Sequence, residues 1–251
     1  LARSTFYYYL KQTHQDKHKS EKQEILDIFN HHKGRYGYRR ITTVLRNRGR
    51  SINHKTVLKL MNRLGLKGKQ RENGKYRSYQ GTVDNILKRD FNANKPFEKL
   101  ATDVTEFKVC GKKVYLSPVL DLFNREIISY SISFSPNLQK IRDMPHGLFH
   151  KLPDNATPIF HSDQGWQYQR AEYQRLLAKH NITQSMSRKG NCMDNEAMEN
   201  FFGRLKVEMF YGEHFQTFDA FIRCLKEYID YYNNERIVSK LKMSPVQFQC
   251  H

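Results

Sequence analysis

The feature that most constrains this chain is the uneven placement of its charge. Residues 1–95 carry 23 Lys and Arg against 7 Asp and Glu, a net of +16. Residues 96–251 carry 20 against 18, a net of +2. Such a split predicts a basic segment that grips a polyanion, joined to a nearly neutral second unit. The formal net charge of +18 points to nucleic acid as the simplest partner. A ribosomal protein, or a protein that is merely basic and soluble, is the competing reading. Hydrophobic residues at 38% and aromatic residues at 13% suffice for a real core and exclude wholesale disorder.

The cysteines narrow the class further. Cys110, Cys192, Cys224 and Cys250 lie far apart and form no CxxC or CxxH pair. A zinc site and a disulfide framework are therefore not expected, and reduced thiols in a cytoplasmic protein fit best. No stretch approaches the roughly 18–20 apolar residues that span a bilayer, and no apolar run of signal-peptide type opens the chain. The chain begins at Leu1 rather than Met, so a longer or unusual start is expected.

The first 65 residues read as helical. An aromatic patch, Phe6-Tyr7-Tyr8-Tyr9, belongs to a short opening helix. A helix over residues 20–32 places Ile25, Ile28 and Phe29 on one face, with Ser20 as its N-cap. Gly34-Arg35-Tyr36-Gly37 turns the chain into a second helix with Ile41, Val44 and Leu45 inward, stopped at Gly49. Asn53 caps a third helix through Leu64 that buries Val57, Leu58, Leu60 and Met61, and Gly65 ends it. Helix, turn and basic helix is the shape of a helix-turn-helix DNA reader, with His54, Lys55, Lys59 and Arg63 facing the DNA. A small three-helix bundle with a solvated basic face is the alternative. Residues 66–95 read as a basic linker along phosphates.

The pattern changes after Pro96. Leu100–Val109 and Lys112–Leu122 read as strands joined at Gly111, and Glu126–Phe134 as a third. Asn137–His150 reads as a helix, Thr157–His161 as a buried strand, Glu172–His180 as a helix, and Ile182–Ser185 as a short strand. Met193–Glu208 and Thr217–Asn233 read as long amphipathic helices. Residues 96–251 are thus expected to form an α/β unit, a mixed sheet flanked by helices, after a small all-α domain at 1–65.

Three acids stand where chemistry is expected. Asp103 lies inside the first strand, in Ala101-Thr102-Asp103-Val104-Thr105, where an acid is costly without a partner. Asp163 follows a strand, in His161-Ser162-Asp163-Gln164-Gly165, at the kind of strand end where sheets with helical faces place function. Glu199 rides on a helix, in Asp194-Asn195-Glu196-Ala197-Met198-Glu199. Each alone has a bland reading: an edge-strand acid, a turn residue, an exposed helix acid. Together, three carboxylates on separate elements can hold two hard divalent ions, and a two-metal site suits in-line phosphoryl displacement. Mg²⁺ is the expected ion, with Mn²⁺ a plausible substitute.

These segments resemble the retroviral-type (DDE) integrase core of bacterial insertion-sequence transposases, more narrowly the OrfB type. The strings that carry the likeness are those around Asp103 and Asp163, and the run from Ser185-Met186-Ser187-Arg188-Lys189-Gly190 through Glu199-Asn200-Phe201-Phe202-Gly203-Arg204-Leu205-Lys206. Thirty-five residues separate Asp163 from Glu199, the spacing typical of this subclass. Leu120-Asp121-Leu122, Tyr231-Tyr232-Asn233-Asn234 and Met243-Ser244-Pro245 add to it, so the likeness covers nearly the whole chain.

The resemblance implies a ribonuclease-H-like fold and cleavage and joining of DNA strands at insertion-sequence ends. It implies Asp103, Asp163 and Glu199 as catalytic metal ligands. It places Lys206 at the family's basic position, about two helical turns beyond Glu199, as a phosphate contact. The implied partners are double-stranded DNA at transposon ends and target, further copies of the chain in the DNA complex, and a protein from an upstream reading frame.

Arg188 and Lys189, on the loop leading into the catalytic helix, are expected to grip a strand. Asp194 and Asn195 read as helix caps. His161 reads either as a support for Asp163 or as a hydrogen-bonded core histidine, and Trp166 and Tyr168 either stack on a base or pack. Leu100 stands where many relatives have tryptophan, and Glu196 where small residues are common. The competing functions are a decayed element that only binds DNA, and a nuclease acting on RNA in a hybrid. The acidic triad opposes the first; the basic helices and Lys206 oppose the second.

Overall fold

The computed structural model describes residues 2–7, 18–69, 83–88, 90–134, 147–188 and 192–250. Two compact units emerge, residues 1–70 and 71–251. Tyr8, Tyr9, Lys189, much of the linker and most of the helix expected at 137–150 lie outside the described residues. Among the described residues no helix is long and apolar enough to cross a membrane.

Among its described residues the first unit has a short helical stretch at 3–7, as expected, and three longer helices: α1 (Lys19–His31), α2 (Tyr38–Asn47) and α3 (His54–Arg63). Ile25 and Ile28 of α1, Ile41 and Leu45 of α2, and Val57, Leu60 and Met61 of α3 are buried, the three-and-four spacing of amphipathic helices. Asn53 caps α3 by accepting from Lys55 N at 2.9 Å, as expected of its side chain. Gly49 (φ +84°) and Gly65 (φ +68°) end α2 and α3 in left-handed turns. There Arg50 N donates to Leu45 O, and Leu66 N to Met61 O.

Two details differ from expectation. Ser20 lies inside α1, its hydroxyl directed at Glu24, and His18 takes the cap position. Leu58 is exposed. At about 100° per residue it falls on the shoulder of α3, away from the Val57–Leu60–Met61 face.

His32 stacks on Tyr36 with ring centroids 3.7 Å apart. Burial, with His31, Arg35, Arg48 and Arg40 adding repulsion, lowers its pKa to about 4. The unfolded chain, with an ordinary histidine near 6.5, binds this proton first. Stability is therefore full above about pH 6.5 and falls as pH drops toward about 4. Thermal melts of the chain between these limits should show that loss, and His32→Phe should reduce it, leaving the part contributed by His161, which burial also lowers to about 4.

The second unit is a mixed sheet between helical layers. Its strands are β1 (Lys99–Thr102), β2 (Thr105–Val109), β3 (Lys112–Asp121), β4 (Ile127–Ser133), β5 (Ile159–Ser162) and β6 (Thr183–Met186). The strand expected over 100–109 is interrupted, yet β1 and β2 keep one register along β3: Leu100 pairs with Asp121, Thr102 with Val119, and Thr105 with Leu116. The missing rungs are Asp103 opposite Pro118 and Val104 opposite Ser117. Proline has no N–H to donate there, and the Thr102 hydroxyl takes the Pro118 carbonyl instead, at 2.9 Å. β4 pairs with the other edge of β3, and β1, β5 and β6 run parallel.

Alternation along the strands divides the core in two. Ala101, Phe107, Leu116, Leu120 and Ile127 pack with α5 (Glu196–Leu205) and α6 (Phe218–Asn234). Leu100, Val119, Ile128 and Phe160 pack with α4 (Ala171–Lys179). α5 opens on a 3₁₀ turn at Cys192–Asn195 and continues as a π-helical turn at Lys206–Phe210, so the single helix expected over 193–208 is three segments. Thr217 caps α6 through Ala220 N, and near its other end Asn233 clamps both backbone groups of Ile127. A last helix, α7 (Pro245–Gln249), starts from a Ser244–Gln247 capping box.

Beneath the π turn lies a buried ion pair. Arg236 Nε and Nη2 each donate to Glu208 at 2.7 Å, and Tyr228 Oη donates to the same carboxylate at 3.0 Å. Arg236→Ala should cost about 3–5 kcal/mol in urea unfolding, because it strands a buried carboxylate. Replacing both partners with apolar residues of similar volume should cost less.

Candidate active site

The parallel pairing of β1 and β5 aligns Lys99 with Ile159 and Ala101 with His161, a constant offset of 60. Carried two residues further, it sets Asp103 beside Asp163, both just past the ends of their strands. Asp103 keeps the strand parity of Ala101 and Phe107, whose face α5 covers. α5 turns Met198, Phe201, Phe202 and Leu205 into the core and leaves Glu199 half-buried at the margin.

The electrostatics follow from this placement. Asp103 is only 8% exposed. Burial pushes its carboxyl well above the ordinary aspartate range, Asp163 and Glu199 push it further, and Val104 N–H and Lys206 oppose the rise. Burial also raises Asp163, offset by the Gly165 N–H at 3.0 Å. Burial lowers the Lys206 ammonium, against the pull of Glu106 and Asp103, and its Nζ stands 5.5 Å from the Phe107 ring centre. Lys206 thus belongs to the same electrostatic cluster as the acids.

Asp121 is a useful contrast. It too is buried, but its two oxygens accept from Phe97 N and Phe123 N, so it is a turn-forming acid. Among the described residues no group of three or more His, Cys, Asp or Glu is gathered closely enough to hold a metal ion. The three acids are electrostatic neighbours rather than a closed cage. Their donor chemistry nonetheless fits a hard divalent ion: oxygen ligands only, in a desolvated place where like charges raise one another.

The other candidates separate. His54, Lys55, Lys59 and Arg63 are exposed on α3; Lys55, Lys59 and Arg63 point away from its buried face, while the His54 ring stacks on Tyr38 of α2 at 6.2 Å. Arg188 is exposed, but its guanidinium pairs with buried Asp194 at 3.1 and 3.3 Å. His161 is a hydrogen-bonded core histidine: its ring nitrogens meet the Ser185 and Ser187 hydroxyls at 2.9 and 3.2 Å. Burial lowers its pKa to about 4, with Asp194 opposing, so it is neutral. Tyr168 packs inside and Trp166 stands half-exposed. Glu196 is exposed and accepts from Asn200, away from the acids.

Sequence reading missed what Asp194 does. It is not a cap: it accepts from Arg188 N, from the Arg188 guanidinium, and from Asn85 Nδ2 at 2.8 Å. The segment around Asn85 is also stitched down, with Ile86 N and Leu87 N donating to Ser185 Oγ and Met186 N donating to Asp84 O. An acid and a base six residues apart, flanking a glycine, were the available signal. Asn195 was read as a cap as well. It makes no side-chain cap bond and donates instead to Thr102 O at 3.4 Å, tying the start of α5 to the end of β1.

Comparison with known proteins identifies the domains of the chain. An integrase core domain matches residues 93–192, a second integrase core domain matches residues 199–251, and an HTH-like domain matches residues 15–73. Over 99% of the chain and 90% of the relative, it is 49% identical to a protein of Escherichia coli (strain K12) named as transposase InsK for insertion sequence element IS150. The chain belongs to the IS3 family of insertion-sequence transposases.

A transposase-like protein of Haemophilus influenzae is 55% identical over 79% of this chain and 93% of its own length. Transposase InsF for insertion sequence IS3A, from Escherichia coli (strain K12), is 36% identical over 90% of this chain and 80% of its own. In fold, the transposase is similar to a chain of the simian T-cell lymphotropic virus intasome, solved with a PP2A regulatory subunit. The TM-score is 0.53 at 14% identity, covering 91% of this chain and 74% of that one. The mixed sheet with flanking helices is therefore the integrase core fold, preceded by an HTH-like helical region.

The Asp194 clasp makes a prediction for this transposase. Asp194→Ala should free the backbone around Arg188, so limited trypsin digestion should cut after Arg188 faster than in wild type. Equal cutting rates would show that the clasp does not hold the loop.

Proposed function

We propose that this transposase cleaves and joins DNA strands at insertion-sequence ends, with Asp103, Asp163 and Glu199 as its catalytic carboxylates. The observation that supports this most is the β1–β5 register, which aligns Asp103 with Asp163 beneath the helix that carries Glu199. Two Mg²⁺ ions, or Mn²⁺ in their place, would be held by these three acids. When bound they supply an activated water or 3′-hydroxyl and stabilise the leaving oxygen.

The chain's own residues do the rest. Asp103 and Asp163 present oxygen ligands from strand ends, and Glu199 closes the set from α5. Lys206 neutralises part of their charge and offers its ammonium to a phosphate. Arg188, while it holds Asp194, keeps its exposed edge for the strand, and Lys189 beside it adds a second cation. His54, Lys55, Lys59 and Arg63 of residues 1–65 bind element DNA in the manner of a helix-turn-helix, residues 66–95 link them along phosphates, and residues 96–251 carry the chemistry. Two element ends must be held together, which calls for several copies of the chain, and an upstream-frame protein fits as a further partner. The enzyme works in the bacterial cytoplasm, on nucleoid DNA.

With Mg²⁺ and the element's terminal repeats, wild type should cleave and join. Asp103→Asn, Asp163→Asn and Glu199→Gln should each abolish both steps while gel shifts stay unchanged. A variant of the three that keeps its activity overturns its assignment as a ligand.

A further inference from the structure

Trp166 is the single tryptophan of the chain. It stands three residues beyond Asp163 and is 51% exposed. Slack in the backbone does not account for that exposure, because the turn beneath it is pinned at every side. The Asp163 carboxylate accepts from Gly165 N at 3.0 Å, and Tyr168 N donates to Gly165 O at 3.0 Å. Gln169 Nε2 donates to Gln164 O, and Gln184 Nε2 to Tyr168 O, each at 2.7 Å. The Tyr168 ring is fully buried and meets Tyr173 edge-on at 5.6 Å.

A fixed turn thus holds a large aromatic ring half in water, beside a catalytic carboxylate. The Arg170 guanidinium carbon lies 5.3 Å from the centre of the indole. The remaining side chains of the turn, Gln164, Gln167 and Gln169, are polar and uncharged. A flat ring, a fixed cation and amide side chains match a nucleobase with its phosphate better than an apolar protein face. Aromatic platforms beside cations are how sequence-tolerant strand binding is achieved.

We propose that Trp166 and Arg170 form a stacking platform for an unpaired base of the DNA strand engaged at Asp163, with Arg170 meeting the adjoining phosphate. This rests on the strand-transfer reading, since it requires a strand at the acids. A strand locally unpaired at the reacting phosphate leaves bases exposed, and a rigid ring beside Asp163 would fix where the backbone lies.

The sole tryptophan makes the test direct. The full chain is titrated, in EDTA to prevent cleavage, with a fluorescein-labelled forked duplex bearing an oligothymidine arm. A second fork carries an abasic arm. Anisotropy reports binding and indole emission reports stacking. The expected result is binding to both forks, with quenching by the thymidine arm alone. Trp166→Ala should weaken the thymidine fork about tenfold and leave the abasic fork unchanged, while Trp166→Phe should recover most of the loss. Anisotropy that rises with indole emission unchanged overturns the platform, as does equal affinity of Trp166→Ala and wild type for the thymidine fork. No anisotropy change with either fork removes the DNA reading itself, and the platform with it.

Discussion

Everything in the larger unit is arranged around like charges placed side by side. The β1–β5 register aligns Asp103 with Asp163, and α5 adds Glu199 over the same face. Water cannot spread this charge, because Asp103 is almost fully buried. A folded chain can tolerate such an arrangement only if the surrounding structure is stiff enough to impose it. The stiffness has visible sources. Two apolar layers clamp the sheet from both sides. Asn195 ties the start of α5 to Thr102 O, and Asn233 ties the far end of α6 to β4. Lys206 supplies the nearby positive charge, at the expense of its own partial desolvation.

Much of this was legible in the sequence because it is periodic or local. The caps at Asn53 and Thr217, the glycine stops at Gly49 and Gly65, and the apolar stripes of α1 to α3 are each written in a few adjacent residues. The three acids were legible as a set because their flanking strings resemble a known family. Their mutual placement was not, since it depends on a register between strands some 60 residues apart in sequence. The break at Asp103 was hidden for the same reason. Its cause, Pro118, sits in another strand, and no scan of residues 100–109 alone could find it.

The helix that carries Glu199 shows a different limit. A uniform helical period through Glu208 was a sound reading of the residues to Leu205. Beyond it Val207, Glu208 and Met209 are all buried, and three consecutive residues of an α-helix span about 200° of its circumference. One packed face cannot cover that arc. The wider π turn beginning at Lys206 relieves the conflict, with Tyr211 N donating to Lys206 O at 2.7 Å. Tertiary packing overrides local pattern here, and the Glu208–Arg236–Tyr228 network is what it packs around.

That division of labour separates stability from chemistry along a single helix. Glu199 and Lys206 lie two regular turns apart, before the helix widens, so both leave it on the same side. The widening falls immediately after the second of them and commits the next residues to the core. Glu208, nine residues past Glu199, lies about half the circumference round the helix from it, on the side packed into the core. There Glu208 accepts from Arg236 and Tyr228. One continuous segment thus turns Glu199 and Lys206 to one side and buries Glu208 on the other.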